Sequence, residues 1–155
     1  MGRRDSAAVV VPESIDDVYQ ALSDPEALVS WLPPAGMTGR FEHFDLRPGG
    51  SYRMVLTYED VSGAPGKSSP DADVVDVRFV DVVPGKRLVQ AVVFDSEDPA
   101  FAGTMTMTWS VEETAEGTRV EIVADDVPSG ISAEDHAEGM QSSLSNLARW
   151  LERAG

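Results

Sequence analysis

The chain has 155 residues, 42% of them hydrophobic, with 27 acidic against 12 basic side chains and a formal net charge of -15. That length and apolar content suit one domain with its own core, and a surface so negative repels phosphate backbones and anionic headgroups, so neither nucleic acid nor a membrane is an expected partner. With no Cys and two His, His43 and His136, disulfides, thiolate nucleophiles and Cys-ligated zinc are excluded, and neither a His-rich metal site nor a cofactor is expected.

The N-terminus reads MGRRDSAAVVVPES. Its apolar run, Ala7 to Val11, is too short for the apolar region of a signal peptide, and no long apolar span follows, so a soluble cytoplasmic protein is expected. The Arg3-Arg4 pair reads as an incidental basic end. Ala7 to Val11 is β-rich and stops at Pro12, which predicts a strand. Ile15, Val18, Tyr19 and Leu22 then recur at helical spacing, with Ser14 placed to cap and Asp17 three residues on. Asp24-Pro25 restarts a helix, Asp as N-cap and Pro at the first helical position. Leu28, Trp31 and Leu32 form its apolar face, and Pro33-Pro34 end it.

From there to about Pro128 the period changes to two. The predicted strands are Thr38 to Leu46, Ser51 to Glu59, Asp73 to Val83, Arg87 to Phe94, Gly103 to Glu112 and Thr118 to Asp126. Tyr52, Met54, Leu56 and Tyr58 share one face; so do Met105, Met107, Trp109 and Val111. One apolar face per strand marks an antiparallel sheet with one side covered. Pro48-Gly49-Gly50, Pro84-Gly85-Lys86 and Ala115-Glu116-Gly117 read as tight turns. The polar, Gly-, Pro- and Ser-rich segment Asp60 to Asp71 reads as a mobile loop. The last element is a helix N-capped by Ser132 and running to Arg153, with Ala137, Met140, Leu144, Leu147 and Leu151 along one stripe. At 1.5 Å per residue it is about 33 Å long, enough to cross a sheet.

The order β, α, α, six β, long α predicts an α+β fold: a curved antiparallel sheet of six to seven strands gripping the terminal helix, with the two short helices closing one end. Four segments carry a resemblance to a known family. VPESIDDVYQALSDPEALVSWLPP is similar to its opening strand, Pro, helix, Ser/Thr-Asp-Pro-Glu and Trp signature. FDLRPGGSYRM is similar to its Asp-x-Arg-x-Gly-Gly segment, FVDVVPGKRLVQAVVF to its Pro, Arg-Leu hairpin, and TMTMTWSVEETAEGTRVEIVADDVP with the closing helix to its last hairpin. In that order they resemble the Bet v 1-like (START-like, SRPBCC) superfamily with its helix-grip fold, and within it the domains related to the C-terminal part of the activator of Hsp90 ATPase. The resemblance spans essentially the whole chain and implies an interior space between sheet and helix. It does not imply one function, because this superfamily hosts binding proteins, cyclases, hydrolases and co-chaperones.

Alternation places Tyr52, Met54, Tyr58, Phe79 and Met105 toward that space, and the apolar face of the second short helix adds Trp31. Met107, Trp109, Met140 and Leu144 follow. They are either ordinary core or the lining of a ligand-sized apolar cavity, which the adaptable Met side chains suit. His136, one turn before Met140, is the polar candidate at the cavity mouth, against a solvated or structural role. His43 shares a side with Phe41 and Asp45 by alternation. Arg78 faces outward unless a bulge turns it in. Ser142, Ser143 and Ser145 lack the partners of a nucleophile. Gly139 interrupts the long helix, for close packing or to leave room for a ligand. The expected function is non-enzymatic binding of a small hydrophobic molecule in a cavity on the order of several hundred Å³. The alternatives are a cyclase- or hydrolase-like enzyme using the same cavity, and a protein-interaction role with a filled core. A homodimer stays open.

Overall fold

The period-two runs become seven strands in one sheet. The computed structural model describes residues 3–33, 37–58, 72–94, 99 and 103–154, without the side chains of Tyr58, Ala72, Asp73 and Ala154. In chain order the elements are β1 (Arg3–Val11), α1 (Ile15–Ser23), α2 (Pro25–Trp31), β2 (Met37–Phe44), β3 (Ser51–Tyr58), β4 (Ala72–Val83), β5 (Arg87–Phe94), β6 (Met105–Thr114), β7 (Gly117–Val127) and α3 (Ala133–Ala154). The spatial order is β1-β7-β6-β5-β4-β3-β2, every neighbouring pair antiparallel. This is the expected helix-grip α+β fold. β1 and β2 lie at opposite edges, so α1 and α2 have to carry the chain across the sheet. The expected loop from Asp60 to Asp71 lies outside the described residues.

The local signals work as their chemistry requires. Ser14 accepts a hydrogen bond from the Asp17 backbone N–H, and Asp24 accepts one from Glu26 with Pro25 in the first turn. Ser132 Oγ accepts from the Asp135 N–H at 3.0 Å. Each satisfies an amide that the helix start would otherwise orphan. At Pro48-Gly49-Gly50 the glycines have a specific reason. Gly49 sits at φ 83°, and a Cβ on Gly50 would lie 2.3 Å from the Asp45 carbonyl oxygen. The reversal lets the Gly49 N–H donate to the Phe79 carbonyl and the Phe79 N–H donate to the Gly50 carbonyl, both at 2.9 Å. The turn thus extends the β3–β4 ladder and fixes Phe79.

Three expectations are corrected. β1 begins at Arg3, four residues before the apolar run, because its polar start is tied down by side chains. Arg3 donates to Asp5 and to the Ile131 carbonyl, and Arg4 pairs with Asp125. The Arg3-Arg4 pair is therefore part of the sheet edge. In β2 the register shifts between Phe41 and His43, so Phe41 faces Met54 and His43 faces Arg53. That bulge breaks the alternation: Phe41 and Phe44 pack on the core, while His43 is exposed against Ser51 Oγ. In α3 the buried stripe is Met140, Leu144, Leu147 and Leu151, whereas Ala137 is exposed. The first turns of that helix are held through His136 to the edge strand, not through an apolar contact.

The concave face carries two hydrophobic clusters. The first joins all three helices to β1, β6 and β7: Leu144, Leu147 and Leu151 of α3 pack with Val11, Trp109, Val120 and Ile122, and with Val18, Leu22 and Trp31 of the short helices. The second lies on β3 and β4 and the far ends of β5, β6 and β7. Its buried members include Tyr52, Met54, Val77, Phe79 and Met105. Among the described residues no fully buried helical side chain belongs to it. It is instead a nest of rings: Phe41, Phe44, Tyr52 and Phe79 have centroids 5.0 to 6.0 Å apart.

Candidate functional site

The clusters meet at a small cavity. Leu22, Leu28, Trp31, Leu88 and Trp109 come to it from the first cluster, Tyr52 and Phe79 from the second, and Leu32 packs against both. The ninth lining residue is Gln90. Trp31 and Trp109 meet edge to face with centroids 5.6 Å apart, and the Trp31 indole N–H donates to the Ala21 carbonyl at 3.0 Å. That bond turns the Trp31 ring away from solvent and leaves its apolar surface to the cavity. The space is about 20 Å³, which is room for about one water molecule. It lies beneath α1 and α2; no described residue of α3 lines it.

Gln90 is the unusual member. It sits on β5 between Phe79 and Met107 of the neighbouring strands, with Leu88 and Val92 on the same face, and is only 6% exposed. Its side-chain amide borders the cavity, whereas the buried side-chain polar atoms without a hydrogen-bond partner among the described residues are Glu13 Oε1 and the Tyr19 hydroxyl. An amide in a mostly apolar lining is a group able to orient whatever occupies the space. Tyr52 is the other polar side chain at the cavity, and burial pushes its hydroxyl far above the ordinary tyrosine range, so it stays neutral.

The remaining sequence candidates are placed as follows. Trp31, Tyr52, Phe79 and Trp109 line the cavity. Met54 and Met105 are buried in the second cluster, and Met107 packs against both clusters. Met140 and Leu144 are buried in the first cluster, away from the cavity. The side chain of Tyr58 lies outside the described residues. His136 does not line the cavity. Its Nδ1 donates to Asp5 Oδ2 at 2.7 Å, joining the start of α3 to β1. Burial raises the Asp5 pKa, but the hydrogen bonds from His136 and Arg3 and their charges outweigh it and hold the carboxyl below its ordinary value. Arg78 is exposed, because the β4 bulge falls after it, between Phe79 and Asp81. Ser143 donates to the Leu32 carbonyl at 2.7 Å and Asn146 to the Pro33 carbonyl at 3.0 Å. These two bonds fasten the end of α2 to α3. A Cβ on Gly139 would meet nothing within 4 Å, so close packing does not require that glycine.

Residues 13–152 match the family model for Activator of Hsp90 ATPase homolog 1-like protein. The chain belongs to this family. Members of the same fold among solved structures include protein CV1439 from Chromobacterium violaceum, 29% identical, with a TM-score of 0.81 over 95% of this chain and 96% of that one. The AHSA1-like protein from Aeromonas hydrophila is 20% identical, with a TM-score of 0.73 over 99% of this chain and 94% of that one. DynU16, described as a putative protein in the dynemicin biosynthetic locus, is 23% identical with a TM-score of 0.71; the match covers 97% of this chain and 48% of DynU16. No curated protein matches the chain in sequence. The Activator of Hsp90 ATPase homolog 1-like assignment and these neighbours agree with the helix-grip sheet described above. Among the described residues, no helix is long and apolar enough to cross a membrane, and no three His, Asp or Glu side chains gather as a metal-ligand group.

Proposed function

We propose that this domain binds a small, largely apolar molecule at the seam between its two hydrophobic clusters. The observation that carries the reading is the lining: four aromatic side chains and four Leu around one buried amide. Small-molecule sites are of this kind, mostly apolar with few orienting polar groups. The space is far smaller than the several hundred Å³ that the sequence suggested. A ligand therefore enters by displacing Leu28 and Leu32 at α2, the seven-residue helix over the cavity. Binding of this type selects an opened state, and its affinity carries the cost of opening.

A thermal-shift screen with small apolar and aromatic compounds tests it. A ligand that binds only the native state raises the melting temperature, and a dose-dependent rise is expected. No rise with any compound would count against it. That result would favour the protein-interaction reading, which the small cavity supports and for which the convex face offers exposed Val80 and Val93.

A further inference from the structure

The chemistry of the lining says more than that something apolar binds. Gln90 is its one amide, buried among Leu88, Trp31, Trp109 and Phe79. A carboxamide offers two donors and an acceptor in one plane, and its full complement is another carboxamide edge. No Lys, Arg or His is among the lining residues, and the whole chain is strongly acidic. An anionic headgroup would lose its hydration here and gain no counter-charge. The aromatic walls favour a flat ring as the body of the ligand.

We infer that Gln90 makes the seam selective for uncharged aryl carboxamide-type ligands and against the matching carboxylates. This rests on the ligand-binding reading above. Gln90 is a specificity residue in this account: its amide pairs with the ligand's amide edge, and the rings of Trp31 and Trp109 hold the aryl body. A ligand without that edge leaves the Gln90 amide unpaired; a carboxylate brings in a charge with no partner.

The test uses three probes of nearly one shape, benzamide, benzoate and toluene, titrated against the full chain and against Gln90→Leu at neutral pH, where benzoate is ionised. Rejection by an unpaired buried polar group is worth roughly tenfold or more. Benzamide is expected to bind the unaltered chain at least about tenfold more tightly than benzoate. Gln90→Leu should lose about tenfold for benzamide while holding toluene at least as tightly. Gln90→Met, closer in shape, carries the same expectation and stands in if the Leu variant fails to fold. Benzoate binding as well as benzamide, or benzamide affinity unchanged in the folded variant, overturns the role of Gln90 while the site survives. If the unaltered chain binds none of the three, toluene included, the ligand reading falls and the inference with it.

Discussion

The two halves of the concave face are built differently from the same kind of strand. Around β1, β6 and β7, α3 sets Leu144, Leu147 and Leu151 into the sheet, and its position is fixed further by the His136–Asp5 bond and by Ser143 and Asn146 holding the end of α2. Around β3 and β4 the described residues show no such helix; rings and Met side chains fill the surface themselves. Aliphatic teeth on a rigid helix pack tightly and relax little when cut. Unbranched Met side chains refill gaps. The cavity lies where the rigid half meets the adaptable one, the place where a core opens at least cost.

The comparison can be broken by truncating one buried side chain in each half. Leu144→Ala should destabilise by about 4–5 kcal/mol, because its neighbours on α3 and the strands cannot collapse into the hole. Met105→Ala should cost about 2–3 kcal/mol, because Met54 and Met107 can move into the space. Chemical denaturation of both variants checks this, and equal losses would erase the distinction.

Smaller effects sharpen it. Ser143→Ala removes the only side-chain bond described for the carbonyl of the half-buried Leu32 and should cost about 1 kcal/mol. It should also speed amide hydrogen exchange at the end of α2 more than in α3. Gly139→Ala should stabilise the protein by about 0.5–1 kcal/mol, since the position is helical and the added methyl group meets nothing. A loss of stability there would mean that the space beside α3 is used.

The last effect is read from its dependence on pH. The Asp5 carboxyl has a folded pKa below its ordinary 3.8. Its contribution is therefore fully present above pH 3.8 and lost as the pH falls through the lower, folded value. Asp5→Asn should be less stable than the unaltered chain at neutral pH, with the two converging in acid. A gap that stays constant down to pH 2 would remove the ionic role assigned to that contact.

The architecture was legible because its signals are local and redundant. Ser14, Asp24-Pro25 and Ser132 announce helix starts; Met105, Met107, Trp109 and Val111 announce a strand face. What failed depended on paired partners. β1 starts at Arg3 because β7 pairs with it and Asp125, Ile131 and His136 hold its side chains, and nothing in RRDS signals a strand. The bulge at Glu42 leaves no trace in sequence and reverses His43. Gln90 was readable in principle: in Arg87-Leu88-Val89-Gln90-Ala91-Val92, strict alternation puts the Gln beside Leu88 and Val92. A polar residue on an apolar face is easily passed over as noise, and only packing shows that it borders a cavity. Leu22 and Leu28 were legible as apolar helix faces, but their place at the seam is a tertiary fact.

The three tryptophans allow the most direct test of the claim that the seam takes up a ligand. Trp31 and Trp109 line the cavity, while Trp150 packs on the first cluster away from it. In a titration with toluene or benzamide followed by the indole N–H resonances, the account predicts that Trp31 and Trp109 shift together and saturate while Trp150 stays in place. Saturating ligand that leaves Trp31 and Trp109 unmoved, or moves only residues on the convex face around Val80 and Val93, would contradict it.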